Sequence, residues 1–297
     1  MVKRDMYMDK YYFREYKTYL ENLDKSESTV NTYLDNVITF IEWFNEANSD
    51  SFQPGTCTTV DLRDFRSHLL TVKNAKANTI NLKIMSLKSY FYFLHSYDYI
   101  KRDIARNLKK VKTQGPPIVK SIDEQTFRKV RREIYRSGYK HHVALIELLR
   151  HALRINEIIA LKIGNLHLKE KGSFIMVYGK QGKYRKVPIN SDCRNALKDY
   201  LEMRQKIKSP YDNLFLSERK TPYTRSGLWK IIDKYSAKIG THISPHQFRH
   251  YAIKKMVDEG VPLTVIASLV GHSSIQLLSD VYAVPLEEDK EAAIEKL

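Results

Sequence analysis

The chain has only two cysteines among its 297 residues, Cys57 and Cys193, which is too few for a disulfide framework. They fit no metal-ligand spacing either, so reduced thiols in a cytoplasmic setting are expected. Long apolar runs are missing: none approaches the ~18 residues that a membrane span needs. No apolar stretch follows Met1-Val2-Lys3-Arg4-Asp5, so no secretory signal is predicted. A Gly-rich phosphate loop of the Walker type is absent, which leaves no site of that kind for ATP. Clustered acidic ligands are absent too. Negative charge is scarce overall: 34 Asp and Glu stand against 50 Lys and Arg, a formal net charge of +16. Such an excess draws in polyanions and releases counterions when phosphates are neutralised, so a nucleic-acid partner is expected. The hydrophobic fraction of 42% suffices for packed cores.

The first hundred residues carry apolar side chains at helical spacing. Tyr12, Tyr16, Tyr19 and Leu23 form one stripe, Tyr33, Val37, Ile41 and Phe44 another, and Ile80, Ile84, Leu87, Phe91 and Leu94 a third. Thr59 and Asn78 read as N-caps. Four or five helices ending near Leu108 are expected. Residues 109–117 hold one glycine, two prolines and three lysines, the composition of an extended connector. Around it, from Lys101 to Arg136, 12 basic residues face 4 acidic ones.

A second domain is expected to start at the capping-box pattern Ser121-Ile122-Asp123-Glu124. A helix to Arg136, a break at Gly138 and an apolar helix from His142 to His151 follow. Segments 173–178 and 184–189 alternate as two short strands around the polar hairpin Gly179-Lys180-Gln181-Gly182-Lys183. Helices resume at Ser191. Ser244-Pro245 opens one that Gly260 ends, and Leu263 to Val270 forms another, closed by Gly271.

Singly, the reactive side chains of this half have ordinary readings. Arg154 fits a helix-start ion pair, Lys180 an exposed hairpin, and His272 a helix cap. His246 and His250 stand at metal-ligand spacing, but without a glutamate after the first or an obvious third ligand. Tyr282 is one of 20 tyrosines. In order, however, Leu153-Arg154-Ile155-Asn156-Glu157, Tyr178-Gly179-Lys180, His246-Gln247-Phe248-Arg249, Leu269-Val270-Gly271-His272 and Tyr282 resemble the signature of the tyrosine recombinases, the phage-integrase family. The chain is similar to the compact two-domain members, such as Xer-type recombinases and transposon-encoded resolvases.

The resemblance implies a mainly α fold with a small antiparallel β-sheet. A helical, SAM-like core-binding domain would occupy 1–110, a basic linker 111–120, an α/β catalytic domain 121–284 and a tail helix 285–297. It implies DNA cleavage through a 3′-phosphotyrosyl link, strand exchange through a Holliday junction, and a homo-tetramer on two duplex sites with inverted-repeat arms. An accessory protein can assist such enzymes. Mobile-element integration or excision, cointegrate resolution and chromosome-dimer resolution are the roles it covers. In the family the tail docks on a neighbouring subunit, with Leu286, Ile294 and Leu297 as the contacts here. Two departures stand out: Ala152 occupies a position where the family often has glycine, at what reads as a helix start. Tyr282 stands ten positions after His272, where the interval in many members is nine.

The chemistry fits those residue types. Guanidinium forks match the non-bridging oxygens of a phosphodiester and stay charged at any working pH, so Arg154 and Arg249 can do what a metal ion does elsewhere. A phenol with pKa ~10 is only about one part in a thousand ionised at pH 7, so Tyr282 needs a base, for which His246 is the candidate. Lys180 can protonate the departing oxygen, His272 can hydrogen-bond a non-bridging oxygen, and Glu157 can orient an arginine. No metal or cofactor enters the scheme. A type IB topoisomerase-like nicking enzyme, a DNA-binding regulator with a lapsed site and a metal-dependent nuclease are the rival readings.

Overall fold

The computed structural model describes residues 2–48, 51–112, 121–179, 184–271 and 275–282. The chain divides into two compact units, Met1–Gly115 and Pro116–Leu297.

The first unit is helical: α1 (Val2–Asp5), α2 (Phe13–Asn22), α3 (Glu27–Ala47), α4 (Thr59–Thr71) and α5 (Ala77–Ser96). Ser26 caps α3 by accepting from the Thr29 N–H, and Thr58 caps α4 through a reciprocal bond pair with Asp61. The α4 cap thus falls one residue before the expected Thr59. Helix α5 starts after Lys76, ahead of Asn78. The stripes on α3 and α5 face inward, with Val37, Ile41, Ile80, Leu87, Phe91 and Leu94 buried. On α2 the buried face is instead Phe13, Tyr16 and Leu20, while Leu23 is 48% exposed. The shift has a local cause: Tyr12 lies before the helix in a left-handed conformation and stacks on Tyr99 at 3.9 Å. Edge-on rings fill the core, with Phe40 5.2 Å from Phe65 and Tyr16 5.2 Å from Tyr90.

The second unit contains α6 (Glu124–Arg136), α7 (Lys140–Arg150), α8 (Ile155–Ala160), β1 (Leu166–His167), β2 (Phe174–Tyr178) and β3 (Tyr184–Pro188). It continues with α9 (Ser191–Arg204), α10 (Arg225–Lys238), α11 (Pro245–Asp258), α12 (Leu263–Val270) and α13 (Ile275–Tyr282). The strands form one antiparallel sheet in the order β1-β2-β3, with Ile175 opposite Val187 and Tyr178 opposite Tyr184. Ile175, Val177 and Val187 point into the main core, as the period of two requires. Helix α6 begins later than the capping-box pattern implied: Asp123, not Ser121, accepts from the Thr126 N–H at 2.6 Å. A separate apolar cluster of Ala152, Ala252, Ile253, Ile266, Ala267, Val270 and Leu278 binds α11, α12 and α13 together, and Tyr282 packs against it. No helix among the described residues is long and apolar enough to cross a membrane.

Glu124 ties α6 to α11. It accepts from the Tyr251 hydroxyl, from Arg128 at 2.7 Å and from Lys255 at 3.2 Å. These bonds, that from Tyr251 foremost, lower its pKa from 4.5 to about 2. A depressed carboxyl stabilises the fold above its unfolded pKa and loses that contribution as pH falls through the folded value. Replacing Glu124 with Gln is expected to lower stability at neutral pH and to flatten its decline between pH 4.5 and about 2. Urea midpoints measured across that range check this, and an unchanged acid limb in the variant would refute it.

Candidate active site

Arg154, Arg185 and Arg249 come from three separate places and meet at one helix end. Arg154 is the N-cap of α8, Arg185 is the second residue of β3, and Arg249 lies in the first half of α11. They converge on the C-terminal carbonyls of α12, which have no partner inside their own helix. The Leu269 oxygen accepts from Arg185 Nε at 2.8 Å. The Val270 oxygen accepts from Arg249 Nη2 at 2.8 Å and from Arg154 Nη1 at 3.1 Å, and the Gly271 oxygen accepts from Arg154 Nη2 at 3.3 Å. The negative end of the helix dipole thus faces the cations.

Glu157 is the carboxylate among these arginines. It accepts two bonds of 2.9 Å from Arg185, one of 2.9 Å from Arg154 Nη1 and one of 2.8 Å from the Arg154 backbone N–H. Burial pushes its pKa up, but the bonds from Arg185 and Arg154 outweigh burial, and the net shift is downward. Glu157 therefore stays ionised and aims both guanidinium groups. Arg249 is only 4% exposed, and burial, followed by the field of Arg154, lowers its pKa to about 10. It remains a cation at neutral pH. The side chain of Arg154 is 38% exposed and reaches the surface.

Helix α11 also carries the two histidines. Ser244 caps it with Pro245 in the first turn, and Gln247 accepts from the Ser244 N–H at 2.7 Å. His246 is exposed in that first turn. Partial burial of its ring, then the charges of Arg225, Arg249 and Arg154, lower its pKa, so it is a neutral imidazole. His250 lies one turn on, and its Nδ1 is hydrogen-bonded to the Tyr282 hydroxyl. Tyr282 is half-buried at the end of α13, and burial raises its pKa to about 12 against the opposing pull of Arg249. Unaided, only about one phenol in a hundred thousand would be ionised at pH 7.

The structure brings Arg154, Glu157, Arg249 and Tyr282 of the expected set into one neighbourhood, with His246 on the same helix as Arg249. Lys180 and His272 lie outside the described residues, as does the stretch 285–297. Two participants escaped the sequence reading. Arg185 shares a strand face with the buried Val187, and an arginine at an inward strand position is the signal that could have found it. His250 was read only as half of a metal-spaced pair, whereas it partners the phenol.

The family model for the phage integrase family matches residues 121–288, and that for the phage integrase N-terminal SAM-like domain matches 13–100. The chain belongs to the phage integrase family. Tyrosine recombinase XerA of Pyrococcus furiosus is 31% identical over 285 residues, covering 94% of this chain and 92% of the relative. The TnP I resolvase of Bacillus thuringiensis is 27% identical, covering 88% and 91%. Among solved structures, the Tn1549 transposon integrase in complex with circular intermediate DNA matches with a TM-score of 0.73 at 18% identity, covering 95% of this chain and 98% of that one. XerH bound to its difH substrate before cleavage matches at 0.70 and 21% identity, covering 89% and 78%. These structures share the fold, and the curated relatives place the chain among the tyrosine recombinases.

Within this family member, Ala152 departs from the helix-start reading. It sits just past the end of α7 with φ of 59° and is 2% exposed, and its carbonyl accepts from Arg249 Nη1. A left-handed residue after a helix end is the usual place for glycine, and any other side chain there costs ~1–2 kcal/mol. Ala152→Gly is expected to stabilise the second unit by about 1 kcal/mol, after allowance for the looser unfolded chain. Denaturant unfolding checks this, and a less stable variant would show that the methyl's contacts outweigh the backbone strain.

Proposed function

We propose that this recombinase cuts and rejoins duplex DNA at specific sites, with Tyr282 as the nucleophile and Arg154 and Arg249 as the cradle of the scissile phosphate. The observation that carries this reading is the position of the Tyr282 hydroxyl beside His250, on the helix that also bears Arg249. In-line attack adds charge to the non-bridging oxygens, and guanidinium groups already held in place stabilise it without reorganising. Glu157 and Arg185 fix the direction of the cradle. His246, neutral and exposed three residues before Arg249, can hydrogen-bond the same phosphate or accept a proton there. Lys180 protonates the departing oxygen, and His272 contacts a non-bridging oxygen.

The covalent product is a 3′-phosphotyrosyl ester that leaves a free 5′ hydroxyl. That hydroxyl attacks the partner duplex, so a Holliday junction forms and resolves with no external energy source. The net charge of +16 supports binding to duplex DNA. The assembly we propose is a homo-tetramer on two sites with inverted-repeat arms, coupled through the tail 285–297 and assisted in some settings by an accessory protein.

Tyr282→Phe is expected to abolish the covalent protein–DNA adduct on nicked duplexes while leaving DNA binding intact. Arg154→Ala and Arg249→Ala are expected to lower adduct formation on the order of 100-fold or more, again with binding retained. An adduct that persists in the phenylalanine variant would move the nucleophile elsewhere. Exchange between two labelled duplexes separates recombination from topoisomerase-like relaxation.

Deleting residues 285–297 is expected to weaken tetramer assembly on DNA and to slow recombination more than single-strand cleavage. Native gels and recombination assays read the two effects, and normal assembly with normal recombination would remove the tail from the scheme.

A further inference from the structure

We infer that His250 is the group that receives the Tyr282 proton during strand cleavage, an assignment that rests on the reading of Tyr282 as nucleophile. The geometry is specific. His250 Nδ1 is hydrogen-bonded to the Tyr282 hydroxyl, and the two ring centroids are 5.9 Å apart. For Nδ1 to accept, the neutral imidazole carries its own proton on Nε2. The phenol ring is also held by packing: Tyr282 lies against the cluster that contains Ala252, Ile253 and Leu278. The hydroxyl is therefore fixed where the base can reach it.

Helix geometry divides the labour between the two histidines. His246 lies four residues earlier, about 6 Å back along the helix axis. It stands among the charges of Arg225, Arg249 and Arg154, the side from which a phosphate would be gripped. His250 stands instead at the phenol. Arg249, the residue between the two ends of this arrangement, lowers the cost of forming phenolate.

The step balances. As the Tyr282 oxygen forms its bond to phosphorus, the phenolic proton passes to His250 Nδ1. The bond from phosphorus to the 5′ oxygen breaks, and that oxygen takes a proton from Lys180. In the reverse direction the incoming 5′ hydroxyl gives its proton to the Lys180 amine as it attacks phosphorus, and the departing phenolate recovers its proton from His250. One proton enters and one leaves in each half-reaction, and nothing is oxidised or reduced.

The test uses the full chain and nicked duplexes selected for binding from a random-sequence pool. His250→Ala and His250→Asn are compared with wild type in rates of covalent adduct formation. Asparagine keeps a hydrogen-bonding atom near the phenol but is not a base, and DNA binding by either variant verifies its fold. Both are expected to form adduct on the order of 100-fold more slowly, the usual worth of a positioned base. A fluorinated tyrosine in place of Tyr282, with a more acidic phenol, is expected to restore most of that loss in the His250 variants. It is expected to restore little in Arg154→Ala, which fails at the phosphate.

Rates within threefold of wild type in either variant would overturn the assignment, as would a deficit that the more acidic phenol does not relieve. A wild-type chain that forms no Tyr282-linked adduct on any selected duplex would instead defeat the reading on which the assignment rests.

Discussion

The convergence of three guanidinium groups on one helix end is the constraint around which the second unit is arranged. A cation buried like Arg249 loses its hydration, and that loss is tolerable only if polar groups replace the water. Here the replacement is the carbonyl of Val270 at the end of α12 and that of Ala152, with the charge of Glu157 nearby. The main-chain oxygens carry only partial charge, so they satisfy the donors without cancelling the positive field. Among the described residues of this cluster Glu157 is the single carboxylate, and it is shared between Arg154 and Arg185. Positive charge is left over, which favours an anionic ligand.

Two backbone positions make the convergence possible. Gly271 ends α12 in the left-handed conformation, with φ of 64°, and turns the chain there. A Cβ at that position would stand 3.1 Å from Arg185 Nη1, so glycine also suits the close approach of a guanidinium. Ala152 has the same handedness past α7 and presents its carbonyl to Arg249. Arg249 is therefore held from both sides by helix ends, while Arg154 and Arg185 are held by the end of α12 and by their shared ion pairs to Glu157.

Much of the fold was legible because its signals are local. Ser244-Pro245 and Gly271 mark helix ends by backbone chemistry alone, and the stripes on α3 and α5 follow from burial of one helix face. The misreadings share a cause as well. Tyr12 and Leu23 keep the spacing of an α2 stripe, yet a left-handed turn before Phe13 rotates the buried face to Phe13, Tyr16 and Leu20. Family resemblance pointed to Arg154, Glu157, Arg249 and Tyr282. The sequence reading did not single out Arg185, and it offered His246 rather than His250 for the phenol, since the two contacts span 84 and 32 residues of chain. Spacing along one helix cannot reveal a bond to another.

The same arrangement determines which groups can move protons. Arginines stay charged across the working pH range, so they stabilise charge but neither give nor take a proton there. Their field disfavours imidazolium at His246, which leaves that ring able to accept a hydrogen or donate its own but not to act as a strong acid. The leaving oxygen must then draw its proton from a group of a different kind. A single cluster of permanent cations thus stabilises charge while leaving every proton transfer to groups other than arginine.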